Sequence, residues 1–162
     1  MADLLINSPM EYEPLRKNRF IVRFPSDLGI QSWWVQSASR PTITMNATEI
    51  PFINTSTWVV GRYIWEAFDI TLRDPIGPSA SQAVMEWVRL ASESATGRQG
   101  YALSYKRDLT IEMLDPTGAA VSLWVCKNAM PVSVNFGDLD YGDDSLSTIT
   151  INIRPDYCLL SF

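Results

Sequence analysis

Apolar residues alternate with polar residues along much of this chain, which is the pattern typical of half-buried β-strands. The segment 18–24 places Phe20, Val22 and Phe24 on one face, and Pro25 ends it. A second β-rich segment covers 33–38. The turn-forming residues 26–29 lie between the two segments and predict that they pair as a hairpin.

Further strands are predicted wherever β-branched and aromatic residues recur between turn signals. In the segment 66–73, Phe68, Ile70 and Leu72 share one face. The remaining predicted strands cover 57–60, 109–114, 120–127, 132–136 and 147–154. The outward positions of the last strands are small and neutral: Ser133, Asn135, Thr148, Thr150 and Asn152. Such a face either pairs with another sheet or forms an uncharged polar surface.

One helix is predicted, at about 79–95. Ser79 and Gln82 form a capping box, and an apolar stripe runs through Ala80, Ala83, Val84, Trp87, Val88 and Ala91. About seven strands and one helix, with no repeating strand–helix unit, predict a mainly β fold. We therefore expect two packed antiparallel β-sheets, as a sandwich or barrel, with one flanking α-helix.

Two segments fall outside these elements. Residues 1–15 show no sustained period and predict an irregular N-terminal arm, which leaves 16–162 as a single β domain. Residues 41–57 are too apolar for a solvated linker and predict a long loop that docks on another surface. Its apolar positions are Ile43, Met45, Ile50, Phe52 and Ile53.

Composition excludes several kinds of chemistry. The 162 residues contain no histidine, so catalytic triads, His-activated cysteines and His-based metal sites are impossible. Two distant cysteines suggest neither a zinc site nor a disulfide scaffold, and no phosphate-binding glycine motif or hydrolase elbow is present. We therefore predict no catalytic residue, no metal and no cofactor.

Net charge and hydropathy limit the binding partners and the cellular location that we expect. The formal net charge is −5, so nonspecific binding to a phosphate backbone is not expected. The first residues lack the features of a signal peptide, and no apolar run approaches 18 residues, so we expect a cytosolic product that does not insert into membranes. Only 19% of residues are charged, which suggests that neighbouring molecules cover much of the surface.

The order and spacing of several segments resemble one family over nearly the whole chain. These segments are 16–24, 36–41, 49–54, 61–75, the helix with Trp87, 105–108, 129–131 and 137–140. Together they resemble the tail tube proteins of contractile-tailed bacteriophages, which are related to the tubes of tail-like bacteriocins and of type VI secretion systems. The stretch 61–75 is the most specific of them.

The resemblance implies a structural virion protein rather than an enzyme. Six subunits would join their sheets into a ring with a continuous inner β-barrel, and the rings would stack into a tube inside a contractile sheath. DNA, and before it the tape measure protein, would pass through without specific binding. The implied partners include the tail sheath, baseplate and tail terminator proteins, with assembly in the host cytoplasm.

The resemblance also assigns roles to individual residues. The arm 1–15 and the loop 41–57 would contact the next ring or subunit. Six copies at −5 give −30 per ring, and acids in the lumen, with Asp69 and Glu112 as candidates, would repel DNA during transit. Outside the reducing cytosol, Cys126 and Cys158 could form disulfides between subunits.

Alternatives remain open from the sequence. A tube-like baseplate or hub component and a type VI secretion tube belong to the same class. A carbohydrate-binding β-sandwich would need tryptophans exposed in a row. A glycosidase would need two carboxylates that converge in a cleft.

Overall fold

The computed structural model describes residues 13–162, so the predicted arm 1–15 lies largely outside the described residues. Two short 3-10 turns cover Ser26–Leu28 and Ser32–Trp34. The strands are β1 Phe20–Arg23, β2 Val35–Ala38, β3 Ile43–Phe52, β4 Thr55–Trp65, β5 Phe68–Arg73, β6 Arg107–Leu114, β7 Ala120–Asn135, β8 Thr148–Arg154 and β9 Tyr157–Ser161. The helices are α1 Ala80–Ala91 and α2 Ala102–Tyr105.

The long strand β7 belongs to two sheets. Its first half pairs with β6 and β9, and its second half pairs with β8. Sheet A therefore contains β1, β6, the first half of β7, and β9. Sheet B contains the second half of β7, β8, β5 and β2. At the change of sheet, Asn128 has a φ of 53° and donates its backbone N–H to Asp108 Oδ1 at 2.9 Å.

The hydrophobic core is built by alternation along these strands. In β5, Phe68, Ile70 and Leu72 are buried, and in β8 the three isoleucines 149, 151 and 153 are fully buried. Sheet A contributes Val22, Leu109, Ile111 and Cys126 to the same cluster. The predicted mainly β fold with two antiparallel sheets is confirmed.

Helix α1 closes one side of this core. Its N-cap Ser79 accepts a hydrogen bond from the backbone N–H of Gln82, as the capping box predicts. Trp87 is 1% exposed, donates its Nε1–H to the Tyr105 carbonyl at 2.7 Å, and meets the Phe24 ring edge-to-face. The helix ends at Ala91, short of the predicted 95, because Ser92 is extended and bridges to Gln99.

The predicted hairpin between β1 and β2 is wrong. β1 pairs with β6, and β2 pairs with β5 in the other sheet. The two 3-10 turns carry the chain from sheet A to sheet B and bury Leu28, Ile30 and Trp34 on the way. A turn signal shows that the chain changes direction, but it does not identify the strand with which each segment pairs.

The predicted loop 41–57 is also wrong, because β3 and β4 form an antiparallel hairpin there. Its residues are rich in Thr, Ile and Val, which favour strands. The period-2 signal is weak because apolar side chains occur on both faces. Strand β9 and the short helix α2 were not predicted, and the segments 120–127 and 132–136 form one continuous strand.

Asp74 holds the N-terminus of α1, and its removal tests how the helix is anchored. Its Oδ1 accepts the backbone N–H of Ala80 at 2.9 Å and of Ser81 at 3.3 Å, and its Oδ2 accepts the Ser81 hydroxyl. Burial raises the pKa of Asp74, but the hydrogen bonds from Ser81, Ala80 and Ser79 outweigh burial and leave it below 3.8.

We expect Asp74→Ala to lower the free energy of unfolding by about 1–2 kcal/mol at pH 7, measured by urea denaturation. Because the folded pKa is depressed, this stabilisation is complete above the unfolded pKa and disappears as pH falls through the folded pKa. The difference between wild type and variant should therefore shrink below about pH 4. The exposed Asp144→Ala is the control and should change stability by less than about 0.5 kcal/mol. A difference that does not depend on pH would contradict the role of the carboxylate.

Candidate assembly surfaces

The hairpin of β3 and β4, residues 43–65, projects from the domain. The two strands pair with each other and with no other strand of the described residues. Every residue of β3 and all of β4 except Trp65 are exposed. A two-stranded hairpin is marginally stable on its own in water, so packing against another surface would stabilise this one.

Both faces of this projecting hairpin are apolar. A bulge places the extra residue of β4 near Gly61, where a Cβ would lie 3.2 Å from the Asn46 carbonyl oxygen. By the pairing register, one face carries Ile43, Met45, Trp58, Val60 and Tyr63. The other face carries Ile50, Phe52, Val59 and Ile64. Because both faces of this hairpin are apolar, exposure of either face to water is unfavourable.

The tip of the projecting hairpin is strained. Ile53 has a φ of 51° and is 85% exposed, next to Phe52 at 70%. A β-branched residue seldom adopts a positive φ, and glycine or asparagine is usual at such turns. Strained residues that do not serve the fold tend to serve function. The tip therefore presents a large apolar side chain at a conformational cost.

All five predicted contact residues lie on the projecting hairpin: Ile43, Met45, Ile50, Phe52 and Ile53. The structure distributes them over the two faces and the tip, and each is exposed. Their contact with a neighbour stays a prediction. Sequence reasoning missed the exposed apolar residues of β4, because Trp58, Val59 and Val60 were assigned to an ordinary strand. Tyr63 and Ile64 carried the same β-rich signal.

The outer face of sheet B is polar and neutral over most of its area. Side chains there interact across strands: the hydroxyls of Thr71 and Thr150 are 3.4 Å apart, and Asn152 Nδ2 donates to Asp69 Oδ1 at 2.8 Å. Arg73 and Arg154 lie at opposite ends of this face. β2 and the second half of β7 are the edge strands of sheet B among residues 13–162.

Asp69 and Glu112 are not brought together. Asp69 lies on the outer face of sheet B, whereas Glu112 lies on the outer face of sheet A, across the core. Arg23 binds Glu112 through Nε at 2.8 Å and through Nη2 at 3.3 Å. This hydrogen bond raises the pKa of Arg23. At most one of the two acids can therefore line a channel formed by one sheet.

The two ends of sheet B differ in chemistry. The loop 136–147 precedes β8 and carries four aspartates together with exposed Leu139, Tyr141 and Leu146. It is shaped by its own carboxylates: Asp140 accepts the Gly142 N–H, and Asp143 accepts the Ser145 N–H, which lowers the pKa of Asp143.

The projecting hairpin leaves the opposite end of sheet B, where Phe68 pairs with Ile153. A groove of about 410 Å³ lies at this end, between the edge strands β1 and β2. Its lining is apolar with two basic side chains, and consists of Leu15, Lys17, Phe20, Ala38, Arg40, Ile111 and Met113. One end is thus acidic, and the other is basic and apolar.

Cys126 and Cys158 lie opposite each other on β7 and β9, with their sulfur atoms 3.4 Å apart. Cys126 is fully buried and Cys158 is 6% exposed. The two thiols face each other inside one chain, and their pairing between subunits stays a prediction. Reaching a neighbouring subunit would require the C-terminal strand to open.

For the alternative functions, three kinds of feature are relevant among residues 13–162: a metal site, a membrane-spanning helix and a row of exposed tryptophans. Residues 13–162 hold no group of three or more Cys, Asp or Glu side chains placed to bind a metal. None of their helices has the length and apolarity needed to span a bilayer. Exposed Trp33 and Trp58 lie on separate elements, while Trp65 packs edge-to-face on Trp124. They form no row for stacking sugars.

Comparison with solved structures gives the same fold. A chain of the anti-feeding prophage cap (tube terminating cap) superposes with a TM-score of 0.71 at 21% identity, covering 93% of this chain and 92% of that chain. A chain of the PVC sheath-tube complex, from an extracellular contractile injection system, gives a TM-score of 0.68 at 19% identity, covering 99% and 97%. The anti-feeding prophage baseplate gives 0.69 at 18%, covering 93% and 97%.

Sequence comparison identifies the family. No curated protein sequence matches the chain. The family model described as T4-like virus tail tube protein gp19 matches residues 16–158, which include both helices and every strand from β1 to β8, together with the start of β9. This chain therefore belongs to the T4-like virus tail tube protein gp19 family and is a subunit of a phage-tail-like tube.

Proposed function

We propose that six copies of this chain close into a ring through sheet B, and that rings stack into a tube that conducts DNA into a host. The observation that carries the proposal is the arrangement of sheet B. Its four strands alternate in direction, and both of its edges are unpaired among the described residues. An unpaired edge exposes backbone N–H and C=O groups that favour pairing with another chain.

The order and direction of the strands in sheet B are compatible with cyclic symmetry. β2 and β8 run in one direction, while β5 and the second half of β7 run in the other. When a copy is rotated about the ring axis, its β2 meets the second half of β7 of the next copy, and the two are antiparallel. Six copies would close a twenty-four-stranded barrel without a break in the alternation, and closure removes every edge.

Stacking follows from the two ends of sheet B. The acidic loop 136–147 and the basic groove with Lys17 and Arg40 lie at opposite ends, so a head-to-tail stack brings opposite charges together. The projecting hairpin extends from the end that carries the groove. Its apolar faces and tip would be buried between subunits of adjacent rings, which supports the contact role of 41–57. A heterologous contact of this kind propagates along an axis.

In this arrangement the outer face of sheet B lines the channel. Asp69 would be the lumen acid, and Glu112 would lie on the outside of the tube. The lining consists mainly of serine, threonine and asparagine, and each copy adds one acid and two arginines, Arg73 and Arg154. These charges sum to +1 per copy, so this lining would not repel DNA as an acidic lumen would. The uncharged hydroxyl and amide groups, which bind phosphate weakly, would keep DNA from binding tightly.

The proposal also covers the surroundings of the tube. The family and the sheath-tube neighbour support a tube surrounded by a contractile sheath, with baseplate and terminator proteins at its ends. We place it in the virion tail, assembled in the host cytoplasm, where the tape measure protein occupies the lumen before DNA. The role is structural and non-enzymatic.

Ring closure can be tested by cross-linking the two edges of sheet B. In the double variant Ser37→Cys with Ser133→Cys, one thiol lies on β2 and the other on the second half of β7. After oxidation and alkylation, we expect non-reducing electrophoresis to show a ladder of covalent oligomers that ends at six. The double variant Ser37→Cys with Asn135→Cys tests whether the two edges pair in a register shifted by two residues.

Each single variant is the matched control. One thiol per copy on unlike edges cannot form a ladder, so the single variants should remain monomeric on the same gel. The buried native cysteines leave this background low. Monomers alone from both double variants, together with the absence of rings by negative-stain microscopy, would contradict ring closure. Rings that never stack would favour a hub or terminator role over a tube.

A further inference from the structure

The two cysteines occupy a directly opposed position in the ladder between β7 and β9. Cys126 pairs with Cys158 in register, so their side chains project to the same side of sheet A. Directly opposed residues of antiparallel strands have Cα atoms about 4.5–5.5 Å apart. This range lies within the range in which a disulfide can form without backbone movement. The sulfur atoms already lie 3.4 Å apart.

We propose that Cys126 and Cys158 are an intrachain disulfide site, oxidised by exchange with a small-molecule disulfide such as oxidised glutathione. The cross-link would fasten the C-terminal strand β9 to β7. It is independent of ring closure, because both thiols and the bond lie within one subunit.

Access comes from the position of β9. It is the last strand of sheet A, it pairs with β7 alone among the described strands, and it is followed by Phe162 at 98% exposure. Leu159 and Leu160, the residues after Cys158, are 50% and 40% exposed. A strand that pairs along one side only can open locally at less than the free energy of global unfolding. Such opening exposes Cys158 while the rest of the core stays folded.

The order of attack follows from the surroundings of each thiol. The hydrogen bond with Cys158 and burial both raise the pKa of Cys126, and the hydrogen bond with Cys126 lowers the pKa of Cys158. Cys158 is thus the more readily deprotonated thiol of the pair, and it also lies on the strand that opens. Because a thiolate is the attacking species in thiol–disulfide exchange, Cys158 reacts first.

The exchange balances in two steps. The Cys158 thiolate attacks one sulfur of oxidised glutathione, whose S–S bond breaks, which leaves a mixed disulfide and one glutathione thiolate. Cys126 then loses its proton and attacks the Cys158 sulfur, which releases the second glutathione. The two cysteines lose two electrons and two protons, and one oxidised glutathione becomes two reduced ones.

The test is oxidation of the full-length chain under native conditions in a glutathione redox buffer, followed by alkylation and intact-mass analysis. We expect each chain to lose two hydrogens, to remain monomeric on a non-reducing gel, and to yield one peptide pair that joins Cys126 to Cys158. The cross-link should raise Tm by about 5–10 °C because it restricts the unfolded chain.

Single variants distinguish the alternatives. Cys126→Ala should stop at the mixed disulfide on Cys158, while Cys158→Ala should form no adduct until the chain unfolds. The same oxidation at a urea concentration below the unfolding transition shows whether slow opening of β9 limits the rate. Disulfide-linked dimers, or a stable mixed disulfide on the wild-type chain, would overturn the proposal. So would a bond that forms only in the unfolded chain and lowers Tm.

Discussion

Replacing Phe52 and Val60 with aspartate should leave the subunit folded and abolish tube growth. Val60 lies on one face of the projecting hairpin and Phe52 lies on the other, next to the tip, and both are about 70% exposed. Neither side chain contributes to the hydrophobic core of its own chain. The substitutions therefore remove apolar surface that a neighbouring subunit would bury.

The expected size follows from burial energies. A Phe or Val side chain contributes about 1.5–3 kcal/mol when it is fully buried, and a charge in its place adds a desolvation cost. A loss of about 3–4 kcal/mol per contact weakens each association step by roughly a hundredfold to a thousandfold. Because each ring makes this contact many times, we expect no tubes at concentrations at which the wild type assembles.

Sedimentation velocity and negative-stain microscopy measure assembly, and thermal unfolding of the dissociated subunit measures the fold. The matched control is Leu103→Asp on α2, whose side chain is 92% exposed but lies away from the hairpin. The control should assemble like the wild type. Normal tubes from the double variant would disprove the contact role of the projecting hairpin. A large drop in Tm of its isolated subunit would show that the hairpin stabilises its own chain instead.

Sequence patterns predicted the parts of the fold that bury one face against their own chain. Phe68, Ile70 and Leu72 alternate because sheet B has one apolar side, and Ser79 with Gln82 caps α1 through a purely local hydrogen bond. Pairing partners could not be predicted this way. β1 joins β6 across about ninety residues, and alternation within β1 carries no information about that distant strand.

The assembly surfaces are harder to predict from the sequence for a related reason. The projecting hairpin is apolar on two faces because its packing partners belong to other molecules, so the alternation that marks a strand on its own core is absent. Likewise, Asp69 and Glu112 share the same local pattern, an acid between buried apolar residues. Only the order of the strands shows that they lie on opposite sides of the molecule.

Trp87→Ala should cause the largest loss of subunit stability, about 3–5 kcal/mol. Trp87 is 1% exposed, belongs to the hydrophobic core cluster, and meets Phe24 with ring centroids 6.5 Å apart. Its Nε1–H also satisfies the Tyr105 carbonyl at 2.7 Å. The alanine variant leaves a cavity and removes this hydrogen bond, so we expect Tm to fall by about 10 °C or more.

Phenylalanine substitutions separate the hydrogen bond from the packing. Trp34 is also 1% exposed, but its Nε1–H has no acceptor among residues 13–162. Trp87→Phe leaves the Tyr105 carbonyl without its donor, whereas Trp34→Phe removes a buried donor that had no partner, which is favourable. We therefore expect Trp87→Phe to be the more destabilising by about 1–2 kcal/mol in urea denaturation. Equal losses would show that packing alone holds α1 on the sheet, since both variants remove a similar volume from the core.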